Sequence, residues 1–228
     1  MAKTLATRMA FGHELIEIAK TNENFVVCNA DTKACGLEKF GKDFPEREFS
    51  FGIAEQNMVG GAAGLAACGN KVFLATFAVF ASMRACEQVR TFVCYPNLNV
   101  TVIGTHTGLQ VGGDGATHAA IEDVAIMRSF PNMTVVQPAD AVAAKALAHA
   151  AVDFNIYDPA TYRFEWGKAN TVVDYGTDMT MIVSGILLKK ALDAAEILKE
   201  QGILVRVLDM ATIKPLDHEA VIKAARET

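Results

Sequence analysis

The 228-residue chain is predicted to be an α/β protein, a doubly wound, mostly parallel sheet followed by a partial second α/β domain. Three observations predict this. Short, nearly all-apolar runs alternate with helical stretches, the spacing of parallel strands joined by crossovers. Glycine-containing loops follow several of those runs, at the strand ends where such sheets bind ligands. A polar stretch, Gly167–Thr177, then separates a further strand–helix–strand–helix set from everything before it.

Taken in order, Thr4–Lys20 places Leu5, Met9, His13, Ile16 and Ala19 at helical spacing. Asn24–Ala30, rich in β-branched and aromatic residues, suits a buried strand. Lys71–Thr76, Asn99–Gly104, Met133–Gln137 and Ala160–Phe164 have the same character. The helical stretches Ala54–Ala67, Phe80–Val93, Ala119–Ser129 and Asp140–Asp153 lie between these strands. The loops after Ala30, Thr76 and Gly104 are therefore where chemistry is expected. The boundary divides the chain into a first domain, residues 1–167, and a second, residues 177–228. The second holds strands at Met179–Ser184 and Leu204–Met210 and helices at Leu188–Gln201 and Asp217–Ala225. So few elements make a poor independent core, and this domain is expected to be incomplete or to lean on the first or on another subunit.

Composition narrows the classes. A hydrophobic content of 51% against 21% charged residues is the balance of an ordinary packed globular protein and does not argue for disorder. A net charge of -5 without a basic stripe argues against nucleic acid or an anionic membrane as partner. With neither a signal-peptide pattern nor a long apolar span, a cytoplasmic protein is expected. Cys28, Cys35, Cys68, Cys86 and Cys94 form no Cys-x-x-Cys pair, so neither a disulfide framework nor a zinc site is signalled.

Three groups of residues could carry chemistry. The run FGIAEQNM, from Phe51 to Met58, precedes a small-residue helix. Its Glu55 reads either as an acid in a first helical turn, favoured there by the macrodipole, or as a buried carboxyl aimed at a ligand. Phe77 and Phe80, with Met83 one turn on, directly follow a strand. Rings at this spacing serve a core, and rings at a strand's carboxyl end also serve a flat heterocycle. The third group is GTHTG, from Gly104 to Gly108, followed by VGGDGATH, from Val111 to His118. A structural turn accounts for the glycines but not for His106, Asp114 and His118 gathered beside them. Arg8 and Arg163, taken alone, read as surface or ion-pair arginines. His13, His149 and His218 fall on helix faces without such company.

Together these residues resemble the pyrimidine-binding and C-terminal regions of the transketolase family, from about Arg8 to the end of the chain. GIAEQNM, TFAVF, the Thr-His pair, VGGDGATH and RSFPN…QPAD occur in the family's order. In layout the chain is similar to the C-terminal subunit of split transketolases. The resemblance implies the pyrimidine domain of a thiamine-diphosphate-binding fold and a two-carbon ketol transfer between sugar phosphates. It gives Glu55 the aminopyrimidine ring nitrogen, with the carboxyl protonated or sharing its proton, which an apolar site favours. It gives Phe77, Phe80 and Met83 the aromatic wall, with methionine standing where the family often has tyrosine. Asp114 resembles the aspartate that recognises the donor's C2 hydroxyl, and His118 the histidine beside the reacting carbons. Asp31 matches an aspartate gripping hydroxyls along the sugar. His106, Arg8 and Arg163 resemble the ligands of the phosphate end. Cys35 replaces a serine expected at the phosphate, and Ala116 a usual proline.

The family's Gly-Asp-Gly…Asn motif for metal and diphosphate appears nowhere in this sequence as a strand-loop-helix unit, VGGDGATH being a different element. The resemblance therefore assigns Mg2+ (or Ca2+) to a partner N-terminal subunit and implies a homodimer core within a heterotetramer. The last 52 residues resemble only the start of the family's C-terminal domain. Related chemistry, in a deoxyxylulose-phosphate synthase-like enzyme or a 2-oxo acid dehydrogenase beta subunit, shares a catalytic Glu and an aromatic wall. A non-catalytic subunit retaining the fold is the reading from a different class.

Overall fold

Runs of branched and aromatic side chains find their stable place between layers of helix, and the first half of the chain is built on three of them with one short strand alongside. The computed structural model describes residues 5–32, 35–109, 111–152, 165–185 and 187–228. These divide into two compact units, one drawn from the described residues of 8–133 and 148–152, the other from those of 5–7, 134–147 and 165–228.

In the first unit β1 (Phe25–Asn29), β2 (Glu48–Ser50), β3 (Lys71–Phe77) and β4 (Val100–Thr105) align in the order β2-β1-β3-β4, every pair parallel. The expected parallel α/β layer is present. Register runs from Phe25 opposite Lys71 to Asn29 opposite Ala75, and from Val72 opposite Val100 to Phe77 opposite Thr105. Asn29, Phe77 and Thr105 thus end their strands on one edge, and the loops carrying Asp31, Phe80 and His106 leave from that edge. The core is aromatic, with Phe25 and Phe73 edge to face at 5.3 Å and both 1% exposed.

Helix α1 (Thr7–Ala19) buries Phe11, Leu15, Ile16 and Ile18. Gly12 lets it approach the loop backbone, because a β-carbon there would lie 1.7 Å from the Cys35 carbonyl oxygen. Between β1 and β2 lies the short α2 (Phe40–Asp43), followed by a single 3-10 turn, Pro45–Arg47. Buried Arg47 of that turn donates to the carbonyls of Ala19, Asn22 and Phe25 at 3.0–3.1 Å, tying the end of α1 to the start of β1. Helix α3 (Glu55–Ala67) starts after a turn in which Gly52 adopts φ 64°.

The expected helix Phe80–Val93 is not a regular α-helix. Two π-helical segments, Phe80–Arg84 and Val89–Cys94, flank a short α4 (Cys86–Gln88). Their bonds run five residues back, Ala85 N–H to Phe80 O and Tyr95 N–H to Arg90 O. Helix α5 (Asp123–Ser129) begins later than expected from Ala119, since Ala116–His118 forms a 3-10 turn and Ala120 pairs with Gly108 instead.

The second unit corrects the sequence reading in two places. Only β5 (Val135–Val136) of the expected strand Met133–Gln137 forms, and it pairs antiparallel with β9 (Thr212–Lys214), not with the main sheet. The stretch Gly167–Thr177, expected as a polar separator, contains β6 (Asn170–Asp174). With β7 (Met179–Val183) and β8 (Val205–Asp209) it makes a sheet ordered β6-β8-β7, antiparallel at β6 and parallel at β7. Helix α6 (Ala141–Val152) precedes this sheet in sequence, and α7 (Leu187–Glu200) packs Ala191 and Ala195 onto Val205 and Val207. Asp217 caps α8 (His218–Glu227) by accepting from Ala220 N–H at 3.0 Å. The expected strand Ala160–Phe164 lies outside the described residues.

Candidate active site

Two left-handed non-glycine residues lie at the edge formed by the strand ends. Asp31, two residues past β1, has φ 60°, and His106, directly after β4, has φ 57°. Left-handed conformations are uncommon outside glycine, though Asp and His tolerate them better than most residues. The loop after His106 closes on itself, because Gly108 N–H donates to Ala120 O at 2.7 Å and Ala120 N–H donates back at 3.2 Å. That closure returns His118 to the neighbourhood of His106.

Both histidines meet the same pair of rings. Phe77 lies 4.5 Å from His106 and 5.6 Å from His118, centroid to centroid. Phe80 lies 5.0 Å from His118 and 5.7 Å from Phe77, in edge-to-face arrangements. Phe80 is 8% exposed and packs with Ala78, Val79 and Ala120 in one buried cluster. The four rings therefore form one continuous wall at the carboxyl ends of β3 and β4.

Glu55 joins this wall through a residue the sequence reading did not single out. It is the first residue of α3 and is 5% exposed. Arg84 Nη1 donates to its Oε1 at 3.1 Å, and the same guanidinium lies 3.7 Å above the centroid of Phe80. The apolar surround expected for Glu55 is thus corrected to one containing a guanidinium. Residue type alone does not mark Arg84, although positions 80 and 84 lie one helical turn apart and share a face. That guanidinium is itself a measure of what the place accepts, namely a flat group that stacks on Phe80 and hydrogen-bonds Glu55. An aminopyrimidine meets both conditions.

His106 has Thr105 Oγ1 at 2.9 Å from its Nδ1. Burial pushes its pKa below the ordinary 6.5, the positive charge of Arg8 pushes it further down, and Asp114 partly restores it. His106, Arg8 and Asp114 accordingly share one electrostatic environment, with Arg8 and Asp114 exposed. His118 pairs through Nδ1 with Thr117 Oγ1 at 3.0 Å. Asp31 is exposed, and Met83 is 51% exposed. Cys35 is 1% exposed, and burial pushes its thiol up to about 12. Arg163 lies outside the described residues. Among the described residues no three His, Cys, Asp or Glu converge as a metal site, and no helix is long and apolar enough to cross a membrane.

Comparison with known proteins adds an independent observation. The sequence matches the family described as transketolase, pyrimidine binding domain, over residues 3–165, and the transketolase C-terminal domain over residues 167–228. It is 38% identical to an apulose-4-phosphate transketolase polypeptide of Phocaeicola vulgatus, over 98% of this chain and 76% of that protein. It is 39% identical to a 6-deoxy-6-sulfo-D-fructose transketolase subunit of Clostridium sp. strain MSTE9, over 94% of this chain and 70% of that one. Among solved structures, a split gene transketolase described as an inactive beta4 tetramer superposes with a TM-score of 0.87 at 42% identity, covering 99% of this chain and 77% of that chain.

Proposed function

The chain belongs to the transketolase family, and from that premise we propose that it is the pyrimidine-binding subunit of a split, thiamine-diphosphate-dependent transketolase moving a two-carbon ketol unit between sugar phosphates. The observation that carries the proposal is the continuity of the wall, from buried Glu55 through Phe80 to His118, Phe77 and His106. The seat beside Glu55 and Phe80 suits a flat heterocycle with a hydrogen-bonding edge. When bound, thiamine diphosphate supplies the carbanion chemistry that breaks and remakes the carbon–carbon bond beside a ketose carbonyl.

In this reading Glu55 hydrogen-bonds the aminopyrimidine ring nitrogen and holds a proton at its carboxyl oxygen. Phe80 and Phe77 orient the ring and exclude water from it, which strengthens the hydrogen bond to Glu55. His118, against both phenyl rings, moves a proton at the sugar hydroxyl next to the reacting carbons. His106 is held neutral, so it donates or accepts one hydrogen bond without adding charge. Asp114 and Asp31 take hydroxyls along the sugar, and Arg8, with Arg163, takes its anionic end. The names of two relatives carry a phosphate and a sulfo group, which supports a substrate with an anionic end. Diphosphate and Mg2+ (or Ca2+) are assigned to a partner N-terminal subunit, and the beta4 assembly of the solved relative supports a multimer built on this chain.

The test is reconstitution with the partner subunit, thiamine diphosphate and Mg2+, supplied with xylulose 5-phosphate and an aldose phosphate. Transfer of the ketol unit is expected. Pyruvate decarboxylation without ketol transfer would reverse the assignment in favour of related thiamine chemistry.

A further inference from the structure

Arg84 takes both contacts that the proposed function gives to the aminopyrimidine. Its guanidinium carbon is 3.7 Å from the Phe80 centroid, the contact distance of stacked planar groups, and its Nη1 is 3.1 Å from Glu55 Oε1. Phe80 offers little other surface. It is 8% exposed, with Phe77 and His118 packed against it in edge-to-face contacts. Two flat groups cannot occupy the same ring face.

Resting on the reading above, we propose that Arg84 is a displaceable latch on the pyrimidine seat, which must swing away from Phe80 and Glu55 before the cofactor's ring can enter. The side chain is built for such a movement. It is 49% exposed, so its outward path is open, and the Glu55 carboxyl it leaves, itself 5% exposed, is not stranded because the aminopyrimidine takes over its hydrogen bond. Its long stem springs from a π-helical segment, a local widening found often at functional sites. While closed, the latch gives the buried Glu55 carboxyl a charged partner and keeps Phe80 covered.

A closed latch lowers the apparent affinity of the cofactor by the fraction of subunits in which the seat is open. Thiamine diphosphate titrated into the reconstituted complex at fixed Mg2+, followed calorimetrically, is therefore expected to bind Arg84→Met more tightly than wild type, by about fivefold. Arg84→Lys is expected to fall between the two, because an ammonium keeps its charge near Glu55 but cannot stack flat. Unchanged or weaker binding by Arg84→Met overturns the latch. A crystal structure of the wild-type complex with thiamine diphosphate tests the same point without relying on a variant. The guanidinium is expected more than about 6 Å from the Phe80 centroid, outside cation–π range, with the pyrimidine in its place. A pyrimidine bonded to Glu55 with Arg84 still on Phe80 overturns the latch alone. A pyrimidine remote from Glu55 overturns the latch together with the functional reading beneath it.

Discussion

His106 shows how much of this site is set by the charges around single side chains. Its imidazole is pushed below its ordinary pKa by burial first, then by Arg8, with Asp114 opposing. Replacing Arg8 by Gln removes one of the depressing causes, so the titration midpoint of His106, read from its Cε1–H resonance, is expected to rise while staying below 6.5. Replacing Asp114 by Asn is expected to lower it. A midpoint unmoved by Arg8→Gln contradicts the shared environment. Because neutral His106 is the favoured form in the folded chain, its contribution to stability is present above pH 6.5 and is lost as pH falls through the lowered folded value. His106, Asp114 and His118 stood out in the sequence, because a turn explains glycines but not the imidazoles beside them; Glu55, Phe77 and Phe80 read equally as a helix-turn acid and core rings, and the family resemblance singled them out. Arg84 was not read, because an arginine one turn after Phe80 looks like a solvated surface cation until its pairing with buried Glu55 is seen.

The elements explain why the residues meet. Closure of the 106–120 loop by the Gly108–Ala120 pair brings two histidines to one phenylalanine, and the single helical turn from residue 80 to 84 sets Arg84 over Phe80. The long apolar strands β1, β3 and β4 were readable from composition. β2, only three residues long and beginning with Glu48, was not, nor was β6, whose Asn170 and Asp174 read as loop. Arg47 belongs with these unread features, since a buried guanidinium looks like any surface arginine in sequence. It supplies three carbonyls with donors at the junction of α1 and β1. Arg47→Ala leaves those carbonyls without that partner and is expected to destabilise the chain by about 3 kcal/mol or more, read as a lower urea midpoint. A midpoint equal to wild type would show that water replaces the guanidinium without loss.

At the scale of the whole chain, the parallel sheet of the first unit carries the candidate site, while the second unit carries its own titrating group. Asp209, at the end of β8, is 3% exposed, its Oδ1 has no hydrogen-bond partner among the described residues, and burial followed by the charge of Asp140 raises its pKa to about 6. A carboxyl raised on folding stays protonated in the folded chain after the unfolded chain has ionised. Its cost to stability is therefore absent below pH 3.8, grows as pH rises, and is complete above about pH 6. Asp209→Asn is expected to stabilise the chain at pH 7 by up to about 3 kcal/mol and to leave stability unchanged near pH 3.5, as read by denaturant melts at both values. Equal stability at pH 7 would place the carboxyl in water. For function the decisive group remains Glu55. In the complex reconstituted with the partner subunit, Glu55→Ala is expected to assemble normally and to lower ketol transfer by about 10²-fold or more. Turnover within a few-fold of wild type would contradict a catalytic carboxyl at this position and would leave the chain a non-catalytic subunit of the same fold.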